Sequence, residues 1–356
     1  MSQHAIAGFA AAALASLSPE QVRFLRAVPK AELHAHLNGS IPLPTLQELA
    51  REYLQQASST DNAQAETIRA GIEPLSEGVV LTEIHDFFGL FPAIYSLTSN
   101  PQSLAKAANA VLHHFLAPSA DDGHPEAAYL ELRSTPRETP AMSRMQYLEA
   151  VLDEVEKYSA EKAALIVSMD RKMRGDVAAE CVECAIQLRD AGRRVVGVDL
   201  CGDVKAGNVA DFEAQFKRAK EAGLGVTTHI AEIPDAPAGE IQKLLSYGPD
   251  RLGHATFLDE KSKELVRNSS SCIEICLSSN LLCKTVDNLD VHHIRYYLRH
   301  DHPIAICTDD ILPFRNSLLG EYALLMAASP LGLGLLEPDI EKVARMSMAS
   351  RFPVKS

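Results

Sequence analysis

Eight short runs rich in β-forming residues, separated by stretches long enough for helices, predict a closed (β/α)8 barrel, the TIM-barrel architecture. Three observations carry this expectation. Strand and helix patterns alternate along the chain, which calls for parallel pairing, and eight such units are the number that closes a barrel. Histidines and carboxylates fall toward the ends of the runs, where a parallel barrel gathers its site on one face. The nucleotide-cradling loops of the competing open doubly wound sheet are missing. No G-x-G-x-x-G follows the first run, and no G-x-x-x-x-G-K-[ST] occurs anywhere.

Taken in order, the chain starts with an alanine-rich stretch, Ile6 to Leu17. No Lys or Arg precedes it and it is too short to span a bilayer, so residues 1–17 read as a flexible, mobile or helical, extension and 18–356 as one (β/α)8 domain. Ser18-Pro19-Glu20-Gln21 is a helix start, with Ser18 as cap and Gln21 reaching back, and Pro29 ends that helix. The first strand is Ala31 to Leu37. A helical insertion follows it: Leu43 to Ile72, loosening around Ser58 to Asn62, then Leu81 to Leu97 and Gln102 to Leu116. The remaining strands are Ala128–Ser134, Ala164–Asp170, Arg194–Leu200, Gly225–Ile230, Arg251–His254, Ser271–Leu277 and Pro303–Thr308. Helices lie between them, for example Val177–Leu188, Ala210–Ala222 and Asp259–Asn268.

Composition narrows the functional class. Hydrophobic residues make up 46% and charged residues 23% of the 356, which excludes a chain that is mainly disordered. The net charge of −13 opposes binding to nucleic acid and to anionic membranes, so a small anionic ligand would need local positive groups. Seven cysteines, an odd number set mostly in apolar runs, fit reduced thiols of a cytoplasmic protein. Cys181-Val182-Glu183-Cys184 has no second pair at zinc-ribbon spacing and lies in a helical pattern, so it reads as structural.

The chemistry-bearing residues sit at strand ends. His34 and His36 are two apart in the first strand and share a face. His229 is near the end of the fifth strand, His254 ends the sixth, and Asp309-Asp310 follow the eighth. Imidazoles and a carboxylate suit zinc, which lowers the pKa of a bound water to about 7. Glu232, three residues beyond His229, is placed to move protons. A lone H-x-H is weak evidence; the strand-embedded pair together with His229, His254 and two aspartates is not core filling.

Four segments then resemble the adenosine deaminase family in order and spacing: Leu33-His34-Ala35-His36-Leu37-Asn38-Gly39-Ser40, Thr228-His229-Ile230-Ala231-Glu232, Arg251-Leu252-Gly253-His254-Ala255 and Cys307-Thr308-Asp309-Asp310. The resemblance runs from about Pro29 to Phe352. It implies one Zn2+ per chain held by His34, His36, His229 and Asp309, and deamination at purine C6. Glu232 would carry the proton between water and ring N1. His254 would orient the attacking hydroxide, Asp310 would meet N7, and the Gly202 backbone N–H would meet N3.

Three details resemble the adenosine deaminase-like branch, the N6-methyl-AMP deaminases. Asn38 stands where the nucleoside enzymes carry Asp, and an amide does not repel a 5′-phosphate. The run Ser134-Thr135-Pro136-Arg137 offers hydroxyls, backbone N–H groups and a guanidinium to an anion. Met169-Asp170-Arg171 matches a substrate-contacting Asp of that branch, and Tyr95 takes the place of a substrate-facing His. The implied reaction is N6-methyl-AMP plus water to IMP plus methylamine, by a monomer in the cytoplasm. Deamination of free adenosine is the alternative, and a silent purine-binding protein the remoter one.

Other zinc chemistries fit less well. A cytidine-deaminase site needs P-C-x-x-C, and no Pro precedes the C-x-x-C here. Binuclear amidohydrolases end the fourth strand with a Lys, where this chain has Val198-Asp199-Leu200-Cys201, so a single metal is expected. Some residues keep plainer readings. Arg133 either meets phosphate or pairs with a barrel carboxylate. Glu274, in an apolar strand, either supports a ligand or forms an inward salt bridge. His85 reads as a packing or lid residue, and His113, His114, His292 and His293 as surface or helix-end residues. Asp203 caps a following helix, Ser278-Ser279-Asn280 caps another, and Arg315-Asn316-Ser317 starts a third, close enough to Asp310 for a substrate role.

Overall fold

The alternation is realised as eight parallel strands in sequence order: β1 Ala31–His36, β2 Tyr129–Ser134, β3 Ala163–Asp170, β4 Val195–Cys201, β5 Gly225–Ile230, β6 Arg251–His254, β7 Cys272–Ile275 and β8 Ile304–Ile306. This computed structural model describes residues 6–56, 62–77, 84–120, 122–237 and 239–354. Each predicted strand is present, with ends moved by a few residues at most. Closure between β8 and β1 is made just past β8, where the Asp309 N–H donates to His34 O (2.9 Å) and the His36 N–H to Asp309 O (3.0 Å). The seam that shuts the barrel is therefore built from the residues singled out for chemistry.

The expected insertion fills the space between β1 and β2 with helices Leu43–Gln56, Asn62–Glu77, Ile84–Phe88, Phe91–Leu97 and Pro101–Leu116. Part of the expected loosening, residues 58–61, lies outside the described residues, as do residues 81–83. The side chain of His85 is also outside the described set. At Ser18 the capping box forms as read: its hydroxyl accepts from Gln21 N–H and its own N–H donates to Gln21 Oε1. Among the eight non-glycine residues described at positive φ, Ala231, His254, Ala255 and Asp309 sit at strand ends on the site face. Such backbone is costly and collects where function dictates geometry.

Of the two readings of the alanine-rich stretch, mobile or helical, the structure has the helical one. Gly8–Ser16 is a helix packed on Leu318–Met326, with Ala10 and Ala13 buried. Ala7 N–H ties it to Arg315 O at 2.7 Å. The small side chains of Ala10 and Ala13 let one face approach Gly320 closely, while Phe9, Ala12 and Ala15 stay exposed on the other.

The barrel interior differs from the usual packing of branched aliphatic layers. Glu32, Glu131, Arg133, Asp199, Arg251 and Glu274 are all at most 1% exposed. Arg251 donates to Glu131 (2.6 Å) and Glu274 (2.8 Å), and Arg133 donates to Glu274 (2.9 Å). The far mouth is stoppered by Phe352. Its ring lies on the bare backbones of Gly197 and Gly225 and under the Arg251 guanidinium at 3.8 Å.

Candidate active site

The period-two geometry of β1 directs both its imidazoles inward, and the ends of β5 and β8 bring two more ligands to them. His36 Nε2 is 3.3 Å from His34 Nε2 and 3.2 Å from His229 Nε2. Asp309 Oδ1 is 3.5 Å from Nε2 of both His34 and His36. Four donor atoms thus face one point, within 4.8 Å of one another. A tetrahedral site with bonds near 2.1 Å has edges of roughly 3.4 Å. The spacing and chemistry of these four groups fit a tetrahedral divalent metal.

The residues behind the ligands fix which nitrogen faces inward. His34 Nδ1 lies 2.6 Å from Glu274 Oε2, and His229 Nδ1 lies 3.1 Å from Asp199 Oδ1 and 3.0 Å from Leu200 O. Each outer nitrogen therefore carries the proton, leaving Nε2 free to ligate. Glu274 also binds Arg133, Arg251 and the Thr227 hydroxyl. Both readings of Glu274 hold, and Arg133 is resolved as a buried structural partner. Burial pushes the His36 pKa well down, keeping that ring neutral. Against its own burial, the Asp309 carboxylate is held well below its ordinary range by His34, His254 and His36.

Glu232 and His254 stand beside this cluster, with His254 Nε2 3.6 Å from Glu232 Oε1 and 4.0 Å from Asp309 Oδ2. Burial raises the Glu232 pKa to about 7, and it lowers that of His254 to about 3. A carboxyl poised near neutrality next to a neutral imidazole is suited to proton transfer. Asp310 is pushed well above its usual range, by burial and by its neighbour Asp309. Its carboxyl occupies the space above Gly39, where a Cβ would fall 1.4 Å from Oδ1. Gly202 has φ 101°, and a Cβ there would meet the Asp170 carboxylate at 2.8 Å.

A cavity of about 90 Å³ is lined by these groups together with Asn38, Tyr95, Ser134, Thr135 and Asp170. Two expected residues are not in its wall. Pro136 is buried, and the Arg137 guanidinium lies behind Tyr95, 4.2 Å over its ring, donating to Tyr95 O (3.0 Å) and Thr98 Oγ1 (2.8 Å). A chain of polar contacts continues from there. Asn38 Nδ2 donates to Thr98 Oγ1 at 3.0 Å, Tyr147 OH donates to Asn38 Oδ1 at 3.3 Å, and Ser134 Oγ meets Tyr147 OH at 2.8 Å. Phe87 and Phe88, on the helix expected to lie over the pocket, do line it, whereas Thr98, Tyr147 and Phe91 were not found by sequence reasoning. Nothing in a helix pattern marks a residue that turns toward a distant strand. Asp199, a lone carboxylate in an apolar strand, did carry a signal.

Some plainer readings also change. His292 is buried and His293 half-buried, and both turn inward: His293 Nε2 meets His254 O at 2.8 Å and His292 Nε2 meets Asn280 Oδ1 at 3.1 Å. Ser278 to Asn280 lie inside helix Leu277–Leu282, because Asn280 is needed as a hub between Thr256, Thr285 and His292. Asp203 closes a turn onto Lys205 N–H instead of capping a helix. Ser317 caps helix Leu318–Met326, while Asn316 ties Thr308 O to Glu321. A larger hollow of about 700 Å³ on the same face, with Lys205, Phe257, Cys283, Lys284 and His293 in its wall, contains none of the four converging ligands.

The sequence profile of the adenosine deaminase family matches residues 29–354. The chain belongs to the adenosine deaminase family. It is a hydrolytic deaminase of a metal-dependent family, and the His–Asp cluster could bind a metal. Among curated relatives, the N6-mAMP deaminase of Arabidopsis thaliana is 31% identical, over 93% of this chain and 94% of the relative. The N6-methyl-AMP deaminase of Homo sapiens is 35% identical, over 86% of this chain and 84% of the relative. A crystal structure of the Arabidopsis protein complexed with IMP superimposes with a TM-score of 0.78 at 31% identity, covering 93% of this chain and 94% of that one. No helix among the described residues is long and apolar enough to cross a membrane.

Proposed function

We propose that this member of the adenosine deaminase family is a zinc-dependent N6-methyl-AMP deaminase, converting N6-methyl-AMP and water to IMP and methylamine. The observation that carries the nucleotide reading is the uncharged wall around Asn38, held by Thr98 and Tyr147 with the Arg137 guanidinium behind it. An aspartate at position 38 would face a 5′-phosphate with like charge; the amide offers an N–H and a carbonyl. The names of the Arabidopsis and human relatives, and the IMP bound to the former, support the same substrate class.

His34, His36, His229 and Asp309 would hold the zinc, one ion per chain. Bound zinc supplies Lewis acidity that makes water a competent nucleophile near neutral pH. The chain's own residues do the rest. With a pKa near 7, Glu232 exists in both forms and delivers a proton to ring N1 as water oxygen adds to C6. His254, neutral and 3.6 Å from Glu232, orients the attacking oxygen. Purine N7 is an acceptor only, so Asp310 must bring a proton to it; its raised pKa keeps one there. The Gly202 N–H meets N3, and Asp170, Thr135, Ser134 and Tyr95 line the space for sugar and phosphate. The proton of the new C6 hydroxyl then passes to N6, the C6–N6 bond breaks, methylamine leaves and C6 keeps the oxygen as a carbonyl. Seven free, buried cysteines support a reducing compartment such as the cytoplasm.

The test is turnover of N6-methyl-AMP, AMP and adenosine by zinc-loaded protein, with products separated by chromatography and Glu232→Gln as control. IMP and methylamine formed by the wild type, with little inosine from adenosine, support the proposal. Turnover of adenosine alone overturns the reading of the Asn38 wall and leaves the mechanism. No turnover of any of the three favours a silent binding protein.

A further inference from the structure

Among the described residues, neither ring nitrogen of His254 has a hydrogen-bond partner. The imidazole is therefore aimed by backbone and packing alone. The packing is edge-on against the His34 ring, with centroids 5.0 Å apart. The backbone is unusual: His254 and Ala255 take φ values of 61° and 51°, two consecutive left-handed residues that both carry a Cβ. Such backbone is costly and persists only where its surroundings over-determine it. Part of the hold comes from β5, through Ala255 N–H to Ile230 O at 3.1 Å. The remaining handle is the carbonyl of His254, which joins the two strained residues.

That carbonyl is taken by His293. Its Nε2 lies 2.8 Å from His254 O, and a carbonyl only accepts, so the ring proton of His293 is on Nε2. His293 immediately precedes helix Ile294–Arg299, and its ring stacks on that of His292 at 4.3 Å. His292 is fixed in turn. Ile294 N–H donates to its Nδ1 (3.1 Å), so its own proton is on Nε2 and points at Asn280 Oδ1 (3.1 Å). Asn280 Nδ2 then donates to Thr256 Oγ1 at 3.3 Å. The two histidines thus grip residues 254 and 256, on either flank of Ala255.

We propose that His293 is a positioning residue for the deamination: its N–H, braced by His292, holds the left-handed turn at His254 and so aims that imidazole at the attacking oxygen. Neither His292 nor His293 is in the wall of the cavity bordered by Glu232 and His254, so the effect passes through His254. Without the N–H the carbonyl is free to turn and His254 relaxes toward ordinary φ. The imidazole then leaves its station 3.6 Å from Glu232. A misplacement of about 1 Å at a reacting centre is enough to cost orders of magnitude in rate. The consequence for turnover rests on the functional proposal above, whereas the hold on the backbone does not.

Two variants of the zinc-loaded full chain separate the donor from the ring. His293→Phe keeps a ring to stack on His292 and removes the donor; the hollow of about 700 Å³ that His293 borders takes the extra atoms. His293→Gln keeps an N–H at the same reach and removes the ring. The proposal expects kcat, on whichever of the three substrates wild type turns over best, to fall roughly 10- to 100-fold in His293→Phe and to recover in His293→Gln, with KM and zinc content unchanged. A 6-unsubstituted purine nucleotide, which takes up water at C6 and has no amine to lose, should lose affinity by the same factor in His293→Phe, while IMP binds as before. A purely structural role would lower stability in both variants and leave kcat of the folded protein alone. Unchanged kcat in His293→Phe, or equal losses in both variants, overturns the proposal. If His293→Phe does not fold, His293→Asn, whose amide stops short of the carbonyl, takes its place. If wild type turns over none of the three substrates, the functional proposal fails and crystal structures judge the hold. His254 should then leave positive φ in His293→Phe and keep it in His293→Gln; any other pairing overturns it.

Discussion

Replacing Glu274 by Gln removes one negative charge from a buried group that serves the fold and the metal cluster together. Its Oε2 accepts from His34 Nδ1 (2.6 Å) and Arg133 (2.9 Å), and its Oε1 accepts from Arg251 Nε (2.8 Å) and the Thr227 hydroxyl (3.0 Å). An amide supplies one oxygen and one NH2, so one of these two pairs of donors must face another donor. The better orientation puts NH2 toward Thr227, whose hydroxyl can turn and accept, and leaves Arg251 Nε opposed. His34 then still donates to the amide oxygen, to a neutral acceptor instead of a charged one. Two buried arginines lose a shared counter-ion; breaking a buried pair in this way costs about 3–5 kcal/mol. The weaker anchor on His34 should lower metal affinity about tenfold, the small end of the range for residues that orient a ligand. Metal-free protein is unfolded in urea to read the first effect, and metal affinity is taken from chelator competition to read the second. A Glu274→Gln protein within about 1 kcal/mol of wild type, with unchanged metal affinity, would refute the assignment of this carboxylate as a shared support.

Four further outcomes are expected. Glu232→Gln should lower kcat by roughly 10²–10⁴ with metal content unchanged, checked by steady-state kinetics and metal analysis. Asn38→Asp should raise KM for N6-methyl-AMP by roughly tenfold, about 1.4 kcal/mol, and leave KM for nucleosides little altered; equal effects on both would sink the phosphate reading. Glu321, buried against Ser278 and Asn316, has its pKa raised by burial from 4.5 to about 7. A raised value means that its contribution is fully present below pH 4.5 and is lost as pH rises through 7, at most about 3 kcal/mol. Glu321→Gln should therefore gain on wild type between pH 5 and pH 8 in denaturant unfolding, and parallel curves would contradict this. Phe352→Ala should cost about 3–5 kcal/mol, seen as a lower urea midpoint, because the ring stoppers the barrel beneath Arg251.

Much of this architecture was legible in the order of residues. Strand runs bounded by turn residues, and helices opened by caps such as Ser18, are local facts of backbone and side chain, so they survive reading one segment at a time. The H-x-H pair in β1 is also local, since period two alone puts His34 and His36 on one face. The convergence of His229, His254 and Asp309 on them could be inferred because parallel strands all end on one rim.

Other features required the three-dimensional packing. The sequence named Glu274 as unusual without saying that it would hold His34, Arg133, Arg251 and Thr227 together. Nothing local distinguished Thr98 or Tyr147, which meet Asn38 across 60 and 109 residues. Arg137 was read as an open anion ligand, and packing set it behind Tyr95 instead. The alanine run left mobile and helical readings open, and the surface of Leu318–Met326 decided for the helix. The division has a physical cause. Residue type and short-range periodicity fix which backbone forms and which side it presents, whereas a buried polar group chooses among all donors that the completed barrel brings within 3 Å or so.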